Sequence, residues 1–328
     1  MPLFKQSILL QAVVILLATA ALWGSALVLP QPMTPPQGSD VLYGVLYRWL
    51  AATPRLAAII GLLLVVAGGV LFNVLLVDIG LSSQTSLLPT LLYIICMSAS
   101  AMTLTPMIVV SLLMTGFVRQ LSVKGSLLSI PPERACAAAA LIGICSMLYL
   151  PAALLIVSYL FAAINYRLYT WRDWFVMILG LAAPYVLLAT VLMFTDGLAG
   201  WWQGVVDAVM SVGFNVTAAP VLQFVGSVLL SVALLAGLVT VWRRLSESTV
   251  MWQRNAITVF CVLPGGLAIM AVTRVFPIDM QLYALPFSFG VSCLLMPSHS
   301  SVSFGNRKRR DWIYTLILVL IFVAAMIC

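Results

Sequence analysis

The sequence predicts an all-α fold, a polytopic transmembrane helical bundle forming a single integral membrane domain over residues 1–328, and three observations carry that prediction. Of the 328 residues, 63% are hydrophobic and 8% are charged, where an ordinary soluble domain carries about 25% charged residues. Apolar runs approaching the roughly 20 residues that cross a bilayer recur almost from end to end, leaving no stretch for a water-soluble domain. The runs are continuous rather than alternating, which excludes a β-barrel and leaves helices to satisfy the backbone in lipid.

The path through these runs predicts about eleven spans, with the N-terminus inside and the C-terminus outside. Of the 16 Lys and Arg residues, the path puts all but Arg48, Arg55 and Arg274 on one side, as expected for the cytoplasmic face of an inner membrane. The net charge of +7 is therefore an orientation signal, and no nucleic-acid partner is expected. Residues 165–184, NYRLYTWRDWFVMILGLAAP, orient the rest. Arg167 and Arg172 mark the inner surface, Tyr169, Trp171 and Trp174 sit at headgroup depth, and Asp173 starts the next helix at its positive dipole end.

Taken in order, a first, uncleaved span covers residues 7–29, held inside by Lys5. The Pro-rich outer loop after it cannot be helical at its start, but residues 41–50 place Leu42, Val45, Leu46 and Trp49 on one face, as in a helix lying in the interface. A second span, residues 55–77, contains Gly61, Gly68 and Gly69, which permit close helix contact, and Asp78 ends it. The third span covers residues 87–102 and the fourth ends at Arg119. Pro132 suits the start of a helix, and the Ala-rich fifth span, residues 135–150, is broken by Pro151. The sixth ends at Tyr166 and the seventh covers residues 174–194. Residues 197–219 are too polar to span; Trp201, Trp202, Val205, Val209 and Val212 suggest a second amphipathic interfacial helix on the outer face. The eighth span ends at Arg243 and Arg244, the ninth covers residues 254–274, the tenth residues 281–296, and the last residues 312–328.

Soluble chemistry leaves no trace. The chain has no phosphate-binding glycine loop, no HExxH and no metal cluster, so neither cofactor nor metal is expected. Its six cysteines lie in apolar runs without CxxC spacing and read as small buried hydrophobes. His299 sits in a Ser-rich loop, and Gly265-Gly266 after Pro264 signals close packing or a kink. The polar interruptions inside runs are Gln11, Asn73, Ser98, Ser100 and Gln223. All nine acids fall at span ends or in loops, which argues against an ion-coupled transporter. No internal repeat with matched Pro and Gly landmarks is evident.

The outer face is where chemistry remains open. Asp40 as a base, beside Arg48, Arg55 and Arg274 gripping a lipid-linked phosphate, is what a transferase using a polyprenyl-phosphate sugar needs. The alternative is that the arginines reach outer headgroups while the acids cap interfacial helices.

The stretches at residues 82–98 (SSQTSLLPTLLYIICMS), 142–156 (IGICSMLYLPAALLI) and 171–187 (WRDWFVMILGLAAPYVL) resemble a family of uncharacterised bacterial polytopic inner-membrane proteins, sometimes labelled carotene monooxygenases. The resemblance implies a multi-pass inner-membrane location and no defined activity. One histidine cannot supply the iron ligands of a carotene-cleaving oxygenase. A looser resemblance runs to the GT-C membrane glycosyltransferases, whose acid in the first outer loop would correspond to Asp40. First among the expectations stands a binding or assembly subunit that docks other membrane proteins in the bilayer. A GT-C-like transferase is second and a transporter third.

Overall fold

The computed structural model describes residues 8–36, 40–82, 86–99, 102–123, 130–168, 170–210, 221–273, 280–295 and 304–327. Every regular element among them is helical. In chain order the α-helices are α1 (Ile8–Val28), α2 (Val41–Leu50), α3 (Pro54–Asp78), α4 (Leu88–Met97), α5 (Pro106–Leu121), α6 (Pro132–Leu148), α7 (Ile156–Tyr166), α8 (Trp171–Phe194), α9 (Leu198–Met210), α10 (Val221–Leu245), α11 (Val250–Phe260), α12 (Val262–Thr273), α13 (Ala284–Leu295) and α14 (Phe304–Ile327). Short 3-10 segments at Leu150–Leu155 and Met280–Tyr283 lead into α7 and α13.

Five helical stretches are long and apolar enough to cross a membrane: Ile8–Val28, Pro54–Asp78, Trp171–Phe194, Phe224–Leu245 and Val250–Thr273. The last joins α11 and α12 across a break at Cys261. Their outward faces are apolar. α8 buries only Met177, Gly180 and Pro184, while Phe175, Leu179, Leu187 and Phe194 are exposed. Such faces are unfavourable in water and suit a lipid solvent, so the chain has the composition and helices of a membrane protein.

The centre of the bundle is built from shorter helices. Every residue of α4 is buried, and α13 is buried almost throughout. A helix apolar on all sides belongs inside a bundle. α4 is shorter than expected: it stops at Met97, and ten residues span about 15 Å, half of a bilayer core. Both its ends are tied to α1. The Leu87 amide donates to Gln11 Oε1 at 2.8 Å, and Trp23 Nε1 donates to Ser98 Oγ at 2.8 Å, so the two helices run parallel. α3 runs antiparallel beside them, with Gly61 against Thr103 and Leu104 and with Gly68 and Gly69 against Tyr93 and Thr90.

Small residues set the other close crossings. A Cβ on Gly237 of α10 would stand 2.6 Å from the backbone of Gly290 in α13, so those two helices meet backbone to backbone. Gly265 faces Ser158 and Leu155, and Gly266 faces the Tyr283 ring. The Pro-Gly-Gly run thus lets α12 slot between the 150–166 segment and the 280–283 turn, immediately after the break at Cys261. Pro151 ends the α6 run as expected, and the chain passes through a 3-10 segment into α7.

The turn at residues 165–184 forms as its sequence dictates. Arg167 takes the left-handed conformation that terminates α7. Thr170 and Asp173 form a reciprocal capping box at the start of α8, and the Arg172 guanidinium lies 5.8 Å from the Trp171 ring centroid. The ninth run begins earlier than expected, at Val250, where the Thr249 side chain accepts from the Trp252 amide. The last helix begins at Phe304, before the expected residue 312, and so takes in Arg307, Lys308, Arg309 and Arg310.

Candidate functional site

Asp40 is the only charged side chain buried among the described residues, at 4% exposure. It occupies the N-cap position of α2, and its carbonyl accepts the first helical hydrogen bond, from the Gly44 amide at 2.8 Å. Its carboxylate does not cap that helix. Oδ1 accepts instead from the Leu150 amide at 3.1 Å, across 110 residues of chain. Leu150 opens the 3-10 segment that feeds α7, so the carboxylate sits at the electropositive end of a helical stretch and satisfies a donor that helix geometry leaves over.

One turn further along α2, the Tyr43 ring is buried. Its hydroxyl lies 2.9 Å from the Thr34 carbonyl, 3.1 Å from the Thr34 hydroxyl and 3.4 Å from the Leu104 carbonyl. Burial pushes the Tyr43 phenol up, partly offset by the Thr34 hydrogen bond. Asp40 and Tyr43 together strap α2 across the junctions that join α6 to α7 and α4 to α5.

Arg48 and Arg55 point the other way. Both are exposed, Arg48 in the last turn of α2, where it complements the helix dipole, and Arg55 in the first turn of α3. Eight residues of chain place the Asp40 and Arg48 backbones about 12 Å apart along the axis, with one side chain buried and the other exposed. Arg274 lies outside the described residues, as do Tyr169, Val212, Asp279 and His299. Of the expected α2 stripe, Leu42, Val45 and Trp49 face outward, while Leu46 packs with Tyr47 and Leu50 against the core.

Two buried amides that the sequence does not flag, Asn255 and Gln281, each bond to more than one distant segment. Asn255, at 0% exposure, lies in the middle of α11. Its Nδ2 donates to the Val123 carbonyl at 3.0 Å and to the Ile79 carbonyl at 3.3 Å. Its Oδ1 accepts from the Val123 amide at 2.9 Å and from the Tyr166 hydroxyl at 3.5 Å. One side chain in the middle of α11 therefore holds the C-terminal ends of α3, α5 and α7. Around it, the Tyr166 and Thr258 hydroxyls are 2.8 Å apart, Asn165 Nδ2 donates to the Arg254 carbonyl at 3.0 Å, and Arg134 Nη2 donates to the carbonyls of Arg119 and Ser122. At the opposite end, Gln281 Nε2 donates to the Met97 carbonyl at 3.0 Å and Oε1 accepts from the Thr105 hydroxyl at 2.9 Å. Both amides sit beside span ends in the sequence, where polarity carries no surprise. Their two-sided hydrogen bonding is a tertiary fact.

Among the described residues no group of three or more His, Cys, Asp or Glu side chains comes together in a way that could hold a metal ion. Among the described residues three buried polar side-chain atoms stand without hydrogen-bond partners, Asn73 Oδ1, Thr103 Oγ1 and Tyr159 Oη. They lie at separate places, the first in α3, the second beside Gly61 and the third in α7, so they do not compose one site.

Fold and site together define a class: an all-helical protein with several helices able to cross a membrane, whose buried polar side chains bind the backbones of neighbouring helices. Comparison with protein-family models, with curated proteins and with solved structures returns no match.

Proposed function

We propose that this chain is a multi-pass inner-membrane protein of about eleven spans, N-terminus inside, acting as a binding or assembly subunit of a membrane complex. The observation that carries the non-catalytic reading is the Asp40 carboxylate, which is engaged by the Leu150 amide at a helix end. The span count is supported by the shorter apolar helices Leu88–Met97, Pro106–Leu121, Leu150–Tyr166, Met280–Leu295 and Trp312–Met326 beside the five long ones. It is also supported by parallel α1 and α4 with α3 antiparallel between their ends. The resemblance to uncharacterised inner-membrane proteins fits the same reading.

The test is gentle extraction into native nanodiscs followed by native mass spectrometry. A defined hetero-complex with another membrane protein is the expected result; a lone monomer with nothing co-purifying overturns it.

A GT-C-like transferase, using a polyprenyl-phosphate-linked sugar, is the second reading. It is favoured by Asp40 being the one carboxylate buried among the described residues. It requires Asp40→Asn to abolish sugar transfer in a folded protein, with Arg48, Arg55 and Arg274 on the phosphate. Unchanged transfer removes Asp40 from that site. A transporter is third, and uptake in proteoliposomes that collapses a proton gradient would promote it.

A further inference from the structure

Apolar stripes on α2 and α3 flank the turn between these helices, with Arg48 and Arg55 on either side of it. On α2 the outward residues are Leu42, Val45 and Trp49, the last 82% exposed; on α3 the exposed stripe continues through Leu56, Ile59 and Leu63. Spacings of three and four residues keep each stripe on one helical face. From Arg55 to Asp78 the helix rises about 35 Å, slightly more than a hydrocarbon core of about 30 Å, so the charged residues bracket the apolar stripe. Arg55 then falls at headgroup depth, and Trp49, an amphipathic ring, falls beside it. No acid occurs between residues 41 and 77, and Asp40 is turned inward on Leu150. The turn therefore carries two positive charges without a neighbouring acid in its own segment.

We infer that this turn and its flanking stripes are a docking surface for anionic phospholipid: α2 lies in the leaflet on Leu42, Val45 and Trp49 while Arg48 and Arg55 engage headgroup phosphates. Guanidinium suits this task because its planar donors pair with phosphate oxygens and its stem tolerates apolar surroundings. The inference rests on the membrane reading above and needs neither catalysis nor a protein partner.

The experiment isolates the Trp49 signal as the difference between wild type and Trp49→Phe in nanodiscs of mixed lipid. It compares quenching by brominated phosphatidylglycerol with quenching by brominated phosphatidylcholine. Quenching with a preference for the anionic lipid is expected. Each arginine at an anionic surface contributes about fivefold, so R48Q/R55Q lowers the preference by about 30-fold while R48K/R55K retains most of it. Equal quenching by both lipids, no quenching by either, or an unchanged preference in R48Q/R55Q overturns the inference. Alkaline carbonate extraction separates the two levels. Protein released from membranes defeats the membrane reading itself, whereas protein that stays while Trp49 shows no lipid preference defeats this inference alone.

Discussion

Replacing Asn255 by Leu keeps the branched side-chain skeleton and removes both hydrogen-bonding ends. The Val123 amide and carbonyl, bonded at 2.9 and 3.0 Å, lose their amide partner in a place with no exposure. The Ile79 carbonyl and Tyr166 hydroxyl, at 3.3 and 3.5 Å, lose weaker contacts. Each well-made buried bond stranded in this way costs about 1–3 kcal/mol, so the two to Val123, with a smaller share from the others, amount to about 3–5 kcal/mol. At roughly 2 °C per kcal/mol for a chain of this size, the unfolding midpoint falls by about 6–10 °C. The assay uses the protein's own thiols. Cys145, Cys261 and Cys293 are buried, so a thiol-reactive fluorophore in detergent reports unfolding as labelling rises with temperature. Asn73→Leu is the contrast, since Asn73 Oδ1 has no partner to strand, and its midpoint moves by less than half as much. An Asn255→Leu midpoint within about 2 °C of wild type, well inside the expected shift, would refute the idea that this side chain ties the ends of α3, α5 and α7 to α11.

Other outcomes follow from the same contacts. Asp40→Ala leaves the Leu150 amide without its acceptor and costs about 1–3 kcal/mol, whereas Asp40→Asn retains an oxygen and costs less than half of that; thermal midpoints of the two variants, measured side by side, check the order. Gly237→Val forces a side chain into the Gly290 backbone and destabilises by about 1–3 kcal/mol or more; a stable, fully expressed variant would show that α10 and α13 do not meet as described. Cys136, which is only partly buried, labels before Cys145 in the folded protein, and mass spectrometry of labelled peptides gives the order.

Much of the fold was legible because lipid-spanning chains obey severe local rules. Asp173 announces the start of α8, Pro151 announces the break before α7, and the Pro-Gly-Gly run at residues 264–266 announces close packing or a kink, since helix-end charges, missing amide protons and absent side chains act within a few residues of themselves. The ten-residue length of α4 was not legible. Residues 87–102 are largely apolar, with only Thr90, Ser98 and Ser100 polar, and the helix ends at Met97, whose carbonyl accepts from Gln281 Nε2.

The candidate site divides the same way. Residue types and spacing alone marked Asp40, Arg48 and Arg55 as the charges near the first interfacial helix, and marked residues 41–50 as amphipathic. They did not say that Asp40 turns inward to Leu150 while the arginines turn out, because that choice depends on a partner 110 residues away. By itself the sequence determined the helical class and those helix ends that a cap or a proline marks, since hydrophobic periodicity and capping are local. Only the tertiary structure decided which polar groups were enclosed and what they held, as with Asn255 and Gln281: a buried amide needs several backbone partners at once, and those come from segments far apart in the chain.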